Sequence, residues 1–123
     1  MAAPNIVNVS TIIGKTTAIT PSATTATVLL ANAAASGKVL KINSLIAANA
    51  DSGAVNATVA RNSAANGSGT ASLLINDLGV PASAALIVID KTTSFYLQED
   101  ESIVVTAGTA DMLTFTVSYE EIS

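Results

Sequence analysis

The sequence predicts an all-β protein: an antiparallel β-sandwich, jelly-roll or immunoglobulin-like, of seven to nine short strands with an extended N-terminal arm. Three observations carry that expectation. The stretch Leu113-Thr114-Phe115-Thr116-Val117-Ser118-Tyr119 alternates apolar and polar residues without a miss, the period of a strand with one face in a core. Short β-branched runs recur at regular spacing between clusters of Gly, Pro, Asn, Asp and Ser, as in sandwiches of antiparallel strands. No helix of ordinary length is needed. Ala33-Ala34-Ala35 has helical propensity, but so short a run cannot nucleate a helix.

The elements follow in order. Pro4 imposes an extended start, and Ile6, Val7 and Val9 alternate loosely with Asn5 and Asn8. Residues 1–10 therefore read as an arm or a short edge strand, and residues 11–123 as a single sandwich domain. Residues 10–20 read as a strand with a bend or bulge at Gly14-Lys15, stopped by Pro21-Ser22. Residues 25–30 form a short strand and residues 32–37 the loop after it. Residues 38–50 form a longer strand with Leu40, Ile42 and Ile46 on one parity.

Asn49-Ala50-Asp51-Ser52-Gly53 is a turn by composition, and Val55, Ala57 and Val59 alternate after it. That combination predicts a hairpin. Residues 62–69 read as an exposed, mobile loop. Residues 70–76 return as a strand before a turn at 77–82. Residues 84–90 form a strand, Lys91-Thr92-Thr93 a turn, and residues 94–97 a short strand. Residues 102–107 and 112–120 make a last pair across Gly108-Thr109-Ala110-Asp111.

Composition bounds what the sandwich can be. The 123 residues are 50% hydrophobic, yet only 3% aromatic. Much of the apolar share is alanine, which buries little area, so the core of an isolated chain should be thin. Leu73-Leu74-Ile75, Ile87-Val88-Ile89 and Ile103-Val104-Val105 place apolar side chains on both faces of their strands. A two-layer sandwich covers one face, which leaves the second to other subunits. Charged residues are 11% of the chain and the net charge is −4. The five basic residues are scattered, which argues against nucleic acid as a partner. No cysteine is present, so disulfides and thiolate metal sites are excluded, and the chain suits a reducing cytoplasm during folding. Met1-Ala2-Ala3-Pro4-Asn5 lacks the basic and apolar regions of a signal peptide. No window approaches the apolar length of a membrane span, so no membrane partner is expected.

Catalytic chemistry finds little to work with. Gly14-Lys15-Thr16 resembles the tail of a phosphate-binding loop, but Val9 stands where that loop needs its first glycine. Glu99-Asp100-Glu101 could offer oxygens to a cation, yet adjacent carboxylates on a strand diverge and the spacing of a calcium loop is absent. A solvated turn is the plainer reading. Asp77, Asp90 and Asp111 lie in turn-like contexts without the apolar setting of a glycosidase acid. No histidine can serve as a base for the abundant serines and threonines. Asn8-Val9-Ser10, Asn56-Ala57-Thr58 and Asn66-Gly67-Ser68 match the glycosylation sequon, at a frequency chance explains in such a chain. Phe95, Tyr96, Phe115 and Tyr119 read as core with hydroxyls at the rim rather than as a stacking platform. No catalytic residue, cofactor or metal ligand is expected.

The order of pieces from residue 38 onward carries a resemblance. It runs through Val39-Leu40-Lys41-Ile42-Asn43-Ser44-Leu45-Ile46, an alternating strand, a small polar loop, and Val80-Pro81-Ala82-Ser83. Phe95-Tyr96-Leu97-Gln98-Glu99-Asp100-Glu101 follows, and Phe115-Thr116-Val117-Ser118-Tyr119-Glu120-Glu121-Ile122 ends it. This resembles small β-sandwich virion structural proteins of tailed bacteriophages, including those of cyanobacterial phages, over about three-quarters of the chain. The resemblance implies a non-enzymatic virion component assembled in the host cytoplasm. The first expectation is a capsid decoration or cement protein that clamps capsid subunits. A neck, tail or fibre-attachment protein is the alternative, and a host-surface carbohydrate-binding module a second. The implied partners are further copies of the chain, with a trimer favoured, and the major capsid protein or neighbouring virion proteins. Under this expectation Pro4, Asn5, Ile6, Val7 and Val9 are the interaction residues, through strand addition by the arm.

Overall fold

The structure is a computed structural model that describes residues 4–123. Nine strands run in the order β1 (Ile12–Ile19), β2 (Thr27–Asn32), β3 (Val39–Asn49), β4 (Val55–Asn62), β5 (Ala71–Val80), β6 (Ala85–Ile89), β7 (Phe95–Leu97), β8 (Glu101–Ala107) and β9 (Leu113–Ile122). They build two antiparallel sheets packed face to face. One has the order β1-β9-β3-β6, with β7 also paired to β3, and the other the order β2-β8-β4-β5. β6 meets residues 45–48 of β3 and β7 meets residues 40–42. The two are therefore one edge strand, interrupted by a 3-10 turn at Lys91–Thr93. Asp90 caps that turn by accepting from the Thr92 amide, while the Thr93 hydroxyl accepts from the Asp90 amide.

With β6 and β7 taken together, the pairs nest. β1 pairs with β9, β2 with β8, β3 with β6–β7, and β4 with β5. One long folded ribbon rolled into two sheets gives this nesting, which is the jelly-roll arrangement. The predicted sandwich is what forms, and of the two predicted variants it is the jelly roll.

Both expected hairpins are absent. β3 and β4 flank the turn at residues 49–53 but lie in different sheets, and so do β8 and β9. The chain crosses between layers about 10 Å apart instead of doubling back. Asn49, buried at the end of β3, holds the first crossing. Its Nδ2 donates to the carbonyls of Gly53, Val80 and Pro81, and its Oδ1 accepts from the Asp51 amide. Asn32 and Asn62 end β2 and β4 in the same buried manner. Asn32 donates to Lys38 and Leu97, and Asn62 to Gly67.

Between the sheets lies one core, with Ile42, Leu45, Leu97, Ile103, Leu113 and Phe115 fully enclosed. A register shift between Ile42 and Ser44 resets the parity of β3. Leu40 and Ile42 point inward before it, Leu45 and Ala47 after it. Ile46 is thus turned to the outer face, against the expectation that it shares a side with Leu40 and Ile42. The turn expected at residues 77–82 is also displaced. β5 continues through Asp77, which takes a positive φ of 51°, as far as Val80. Conversely, β1 pairs with β9 in eight consecutive positions with no bulge at Gly14-Lys15.

The loop at residues 63–70 covers the outer face of the four-stranded sheet instead of standing free. Ser102 Oγ donates to the Ala64 carbonyl at 2.8 Å, and Gly67 sits against Val28 and Val104. The outward member of the Ile103-Val104-Val105 run is therefore covered by its own chain. That segment needs no second subunit.

Candidate assembly surfaces

The described residues hold no cluster of three or more His, Cys, Asp or Glu side chains able to bind a metal ion. The acidic run is split among three structural tasks. Glu99 accepts from the Gly37 amide, Asp100 from the Ala65 amide, and Glu101 from the Gln98 amide while pairing with Arg61. The expected solvated turn is instead a junction that pins three neighbouring segments.

A cleft of about 450 Å³ opens between the edges of the two sheets. Ser72 and Leu74 of β5 form one wall, and Phe95 and Tyr96 of β7 form the other. Arg61 and Glu101 also line it, and because they pair with each other they bring no net charge. Phe115 is fully buried, as expected of the aromatic residues, but Tyr96 is 43% exposed at this rim. A smaller hollow of about 210 Å³ adjoins it through Tyr96 and Gln98, and is closed on the other side by Pro4, Ile6 and Val39.

That hollow locates the described part of the expected arm. Residues 1–3 of it lie outside the described residues. From Asn5 to Asn8 the backbone makes a turn, with the Asn8 amide on the Asn5 carbonyl and the Val7 amide on Asn5 Oδ1. The Asn5 side chain favours this local closure over strand pairing, and residues 4–11 form no edge strand. Pro4 and Val9 are half-buried, whereas Asn5, Ile6 and Val7 are exposed, Val7 at 90%. The structure thus brings Pro4 and Ile6 beside Val39 and Tyr96, and leaves Val7 without an apolar neighbour to cover it.

The larger exposed apolar groups sit on the sheet margins. β1 presents Ile12 and Ile13, and β5 presents Leu73, Leu74 and Leu78. On the outer face of the five-stranded sheet, Ile46 and Ile87 are cross-strand partners, both exposed. Two register shifts against β4 twist β5 away from the layer beneath it, so nine of its ten residues escape burial. Sequence reading missed β5 as a long edge because Asp77 and Gly79 carry turn chemistry. The apolar Leu78 and Val80 beyond Asp77 were the signal that the strand resumes.

Charge is concentrated at the other margin. Glu121 accepts from Lys15 and Lys38, each at 3.1 Å. The hydrogen bond from Lys38, then that from Lys15, holds its carboxyl below the ordinary glutamate value. Beside this carboxylate, Glu120 of the same strand is the register partner of Lys41.

No protein-family model matches the chain, and no curated protein matches it. Among solved structures it is similar in fold to a protein of the disulfide-linked pili that form Bacillus endospore appendages. That match has a TM-score of 0.51 and 18% identity, over 91% of this chain and 87% of the other. A second match is to a structure of infectious bursal disease virus, Gt strain, with a TM-score of 0.41 and 8% identity. It covers 93% of this chain and 31% of the viral one. The likeness to the pilus protein is one of fold. This chain has no cysteine and cannot form a disulfide link between copies.

Proposed function

We propose that the chain is a non-enzymatic structural subunit that acts within an assembly. We place that assembly in a phage virion, with the capsid surface as its seat and clamping of capsid subunits as its work. The observation that carries this reading is the apolar exposure at the margins of the jelly roll. Ile12, Ile13, Leu73, Leu74, Leu78 and Ile87 are all exposed in the single chain. Exposed apolar side chains grouped along a strand edge, as Leu73, Leu74 and Leu78 are on β5, suit contact with other proteins. Among the described residues, the lack of a metal-binding cluster and the pairing of the cleft carboxylate Glu101 with Arg61 support a role without catalysis. The virion assignment is supported by the sequence resemblance to phage structural proteins. In it the partners are further copies of the chain, as a trimer, and the capsid protein.

The test is light scattering of the isolated chain across a dilution series, followed by co-sedimentation with capsids lacking it. A trimer that sediments with particles is the expected result. A monomer at every concentration that leaves particles unbound would overturn the reading. A ring of higher order would move the assignment to the neck or tail.

A second reading is a subunit of a self-assembled filament. Two long edge strands on opposite margins favour it, since such edges can join copies head to tail. Electron microscopy of concentrated protein distinguishes the two.

A further inference from the structure

We propose that β1 of one copy pairs with β5 of a second copy, so that the five-stranded sheet of one subunit continues into the four-stranded sheet of the next. The inference deepens the reading of the chain as an assembly subunit and rests on it.

The edges themselves narrow the choice. Each sheet has two margins: β1 and β6–β7 in one, β2 and β5 in the other. β2 is only six residues long, and β6–β7 is broken by the turn at Lys91–Thr93. These are the devices by which sheets protect an edge. β1 and β5 run for eight and ten residues without proline, and each has only one charged residue; β5 carries two register shifts against β4, but it is the longest of the edge strands.

Backbone geometry makes β1 an open template. Thr11 and Ser123 exchange both backbone hydrogen bonds. Along an antiparallel ladder bonded and non-bonded pairs alternate, and the register is unbroken from Ile12 to Ile19. The amides of Ile13, Lys15, Thr17 and Ile19 therefore face β9. Those of Ile12, Gly14, Thr16 and Ala18 face away from the sheet.

Charge selects the partner. The one charge of β1 is Lys15 and the one charge of β5 is Asp77. Lys15 shares Glu121 with Lys38, and Lys41 stands opposite Glu120, so three cations meet two carboxylates across β1, β9 and the start of β3. Asp77 is exposed and makes no ion pair among the described residues. An antiparallel β1–β1 pair in full overlap sets Lys15 opposite Thr16 and so next to the other copy's lysine, and a β5–β5 pair brings Asp77 no opposite charge. Pairing β1 with β5 joins opposite signs and covers Ile12 and Ile13 together with Leu73, Leu74 and Leu78. β1 lies beside β2 and β5 beside β6, on opposite margins of the sandwich. One copy therefore gives β1 to one neighbour and receives on β5 from another. Such a heterologous contact closes into a ring or runs on as a filament.

The experiment measures the concentration of half-assembly by light scattering for the wild type and four variants, with circular dichroism as the check on folding. Ala18→Pro removes an outward amide and leaves the ladder to β9 intact. It is expected to stay folded and monomeric. Lys15→Asp and Asp77→Lys are each expected to raise the half-assembly concentration by about tenfold at low salt, and the double variant to restore it. If the wild type assembles but Ala18→Pro and both reversals assemble equally well, edge pairing is wrong and the assembly reading stands. If Ala18→Pro prevents assembly but the double variant fails to restore what the single reversals lose, β5 is not the partner. A wild type that is monomeric at every concentration overturns the edge pairing outright, and particle binding alone then decides the wider reading.

Discussion

Lys15 of β1 reaches Glu121 of β9 at 3.1 Å, two positions along from its own register partner Tyr119. Lys38, just before β3, takes the other oxygen of the same carboxylate at 3.1 Å. One side chain, 16% exposed, thus joins three neighbouring stretches of the five-stranded sheet.

This arrangement predicts a pH dependence. The carboxyl of Glu121 titrates below its ordinary value of 4.5 because Lys38 and Lys15 hydrogen-bond to its charged form. A depressed carboxyl contributes stability that is complete above the unfolded value and is lost as pH falls through the folded value. The wild type should therefore lose stability below about pH 4.5 faster than Glu121→Gln does. Because both lysines are more than a third exposed, the variant should cost only about 0.5–1 kcal/mol at pH 7. Urea denaturation at pH 7 and pH 3.5 checks both statements.

Asn49 and Asn62 should respond unequally to alanine. Asn49 uses both ends of its amide, whereas Asn62 Oδ1 is buried with no partner in the described residues. Asn49→Ala leaves several backbone groups at a sheet crossing unsatisfied and should cost about 2–3 kcal/mol. Asn62→Ala removes an orphaned acceptor along with one good bond and should cost about 1 kcal/mol or less. Chemical denaturation of the two variants side by side gives the comparison.

Gly67→Ala should destabilise the loop that covers the four-stranded sheet. The residue has a φ of +87°, and a Cβ there would lie 2.7 Å from Val28 Cγ2. The left-handed backbone alone costs an alanine about 1–2 kcal/mol. Hydrogen exchange should rise at the Ser63 and Ala65 amides, which bond to Thr70 and Asp100, while the amides of β9 stay protected.

Removing residues 1–9 should leave the fold nearly unchanged. Among the described residues the first backbone hydrogen bonds to the body of the sheet are the Ser10 and Thr11 amides on the Ser123 carbonyl, and both remain. The melting temperature should stay within a few degrees of the wild type, about what a change below 1 kcal/mol produces. Under the capsid reading, sedimentation with particles should be lost, because Ile6 and Val7 go with the segment.

Much of the fold was legible in short-range pattern. β9 announced itself through the alternation from Leu113 to Tyr119, and the structure buries Leu113, Phe115 and Val117 on one side. Pro21, Asn49, Gly53 and Pro81 marked where the chain leaves a strand. The lack of histidine and cysteine by itself removes imidazole and thiolate chemistry. The candidate surfaces were less visible. Ile6 and Val7 were identified from their apolar character, but the leucines of β5 were not, because Asp77 looked like the end of a strand.

What the sequence by itself determined is the two-residue period of strands such as β9, most of the places where the chain turns, and the small, sparsely charged character of its residues. Tertiary structure alone decided which sheet receives each strand. A turn such as Asn49–Gly53 is compatible with a hairpin or with a crossing between layers, and only distant partners choose between them. For Asn49 those partners are Val80 and Pro81, some thirty positions along the chain. Likewise, one extra residue near Asn43 turns Ile46 outward and Leu45 inward. Side-chain period is local, but pairing and register are set by contacts remote in sequence, where cooperative burial of the core outweighs the preference of any single turn.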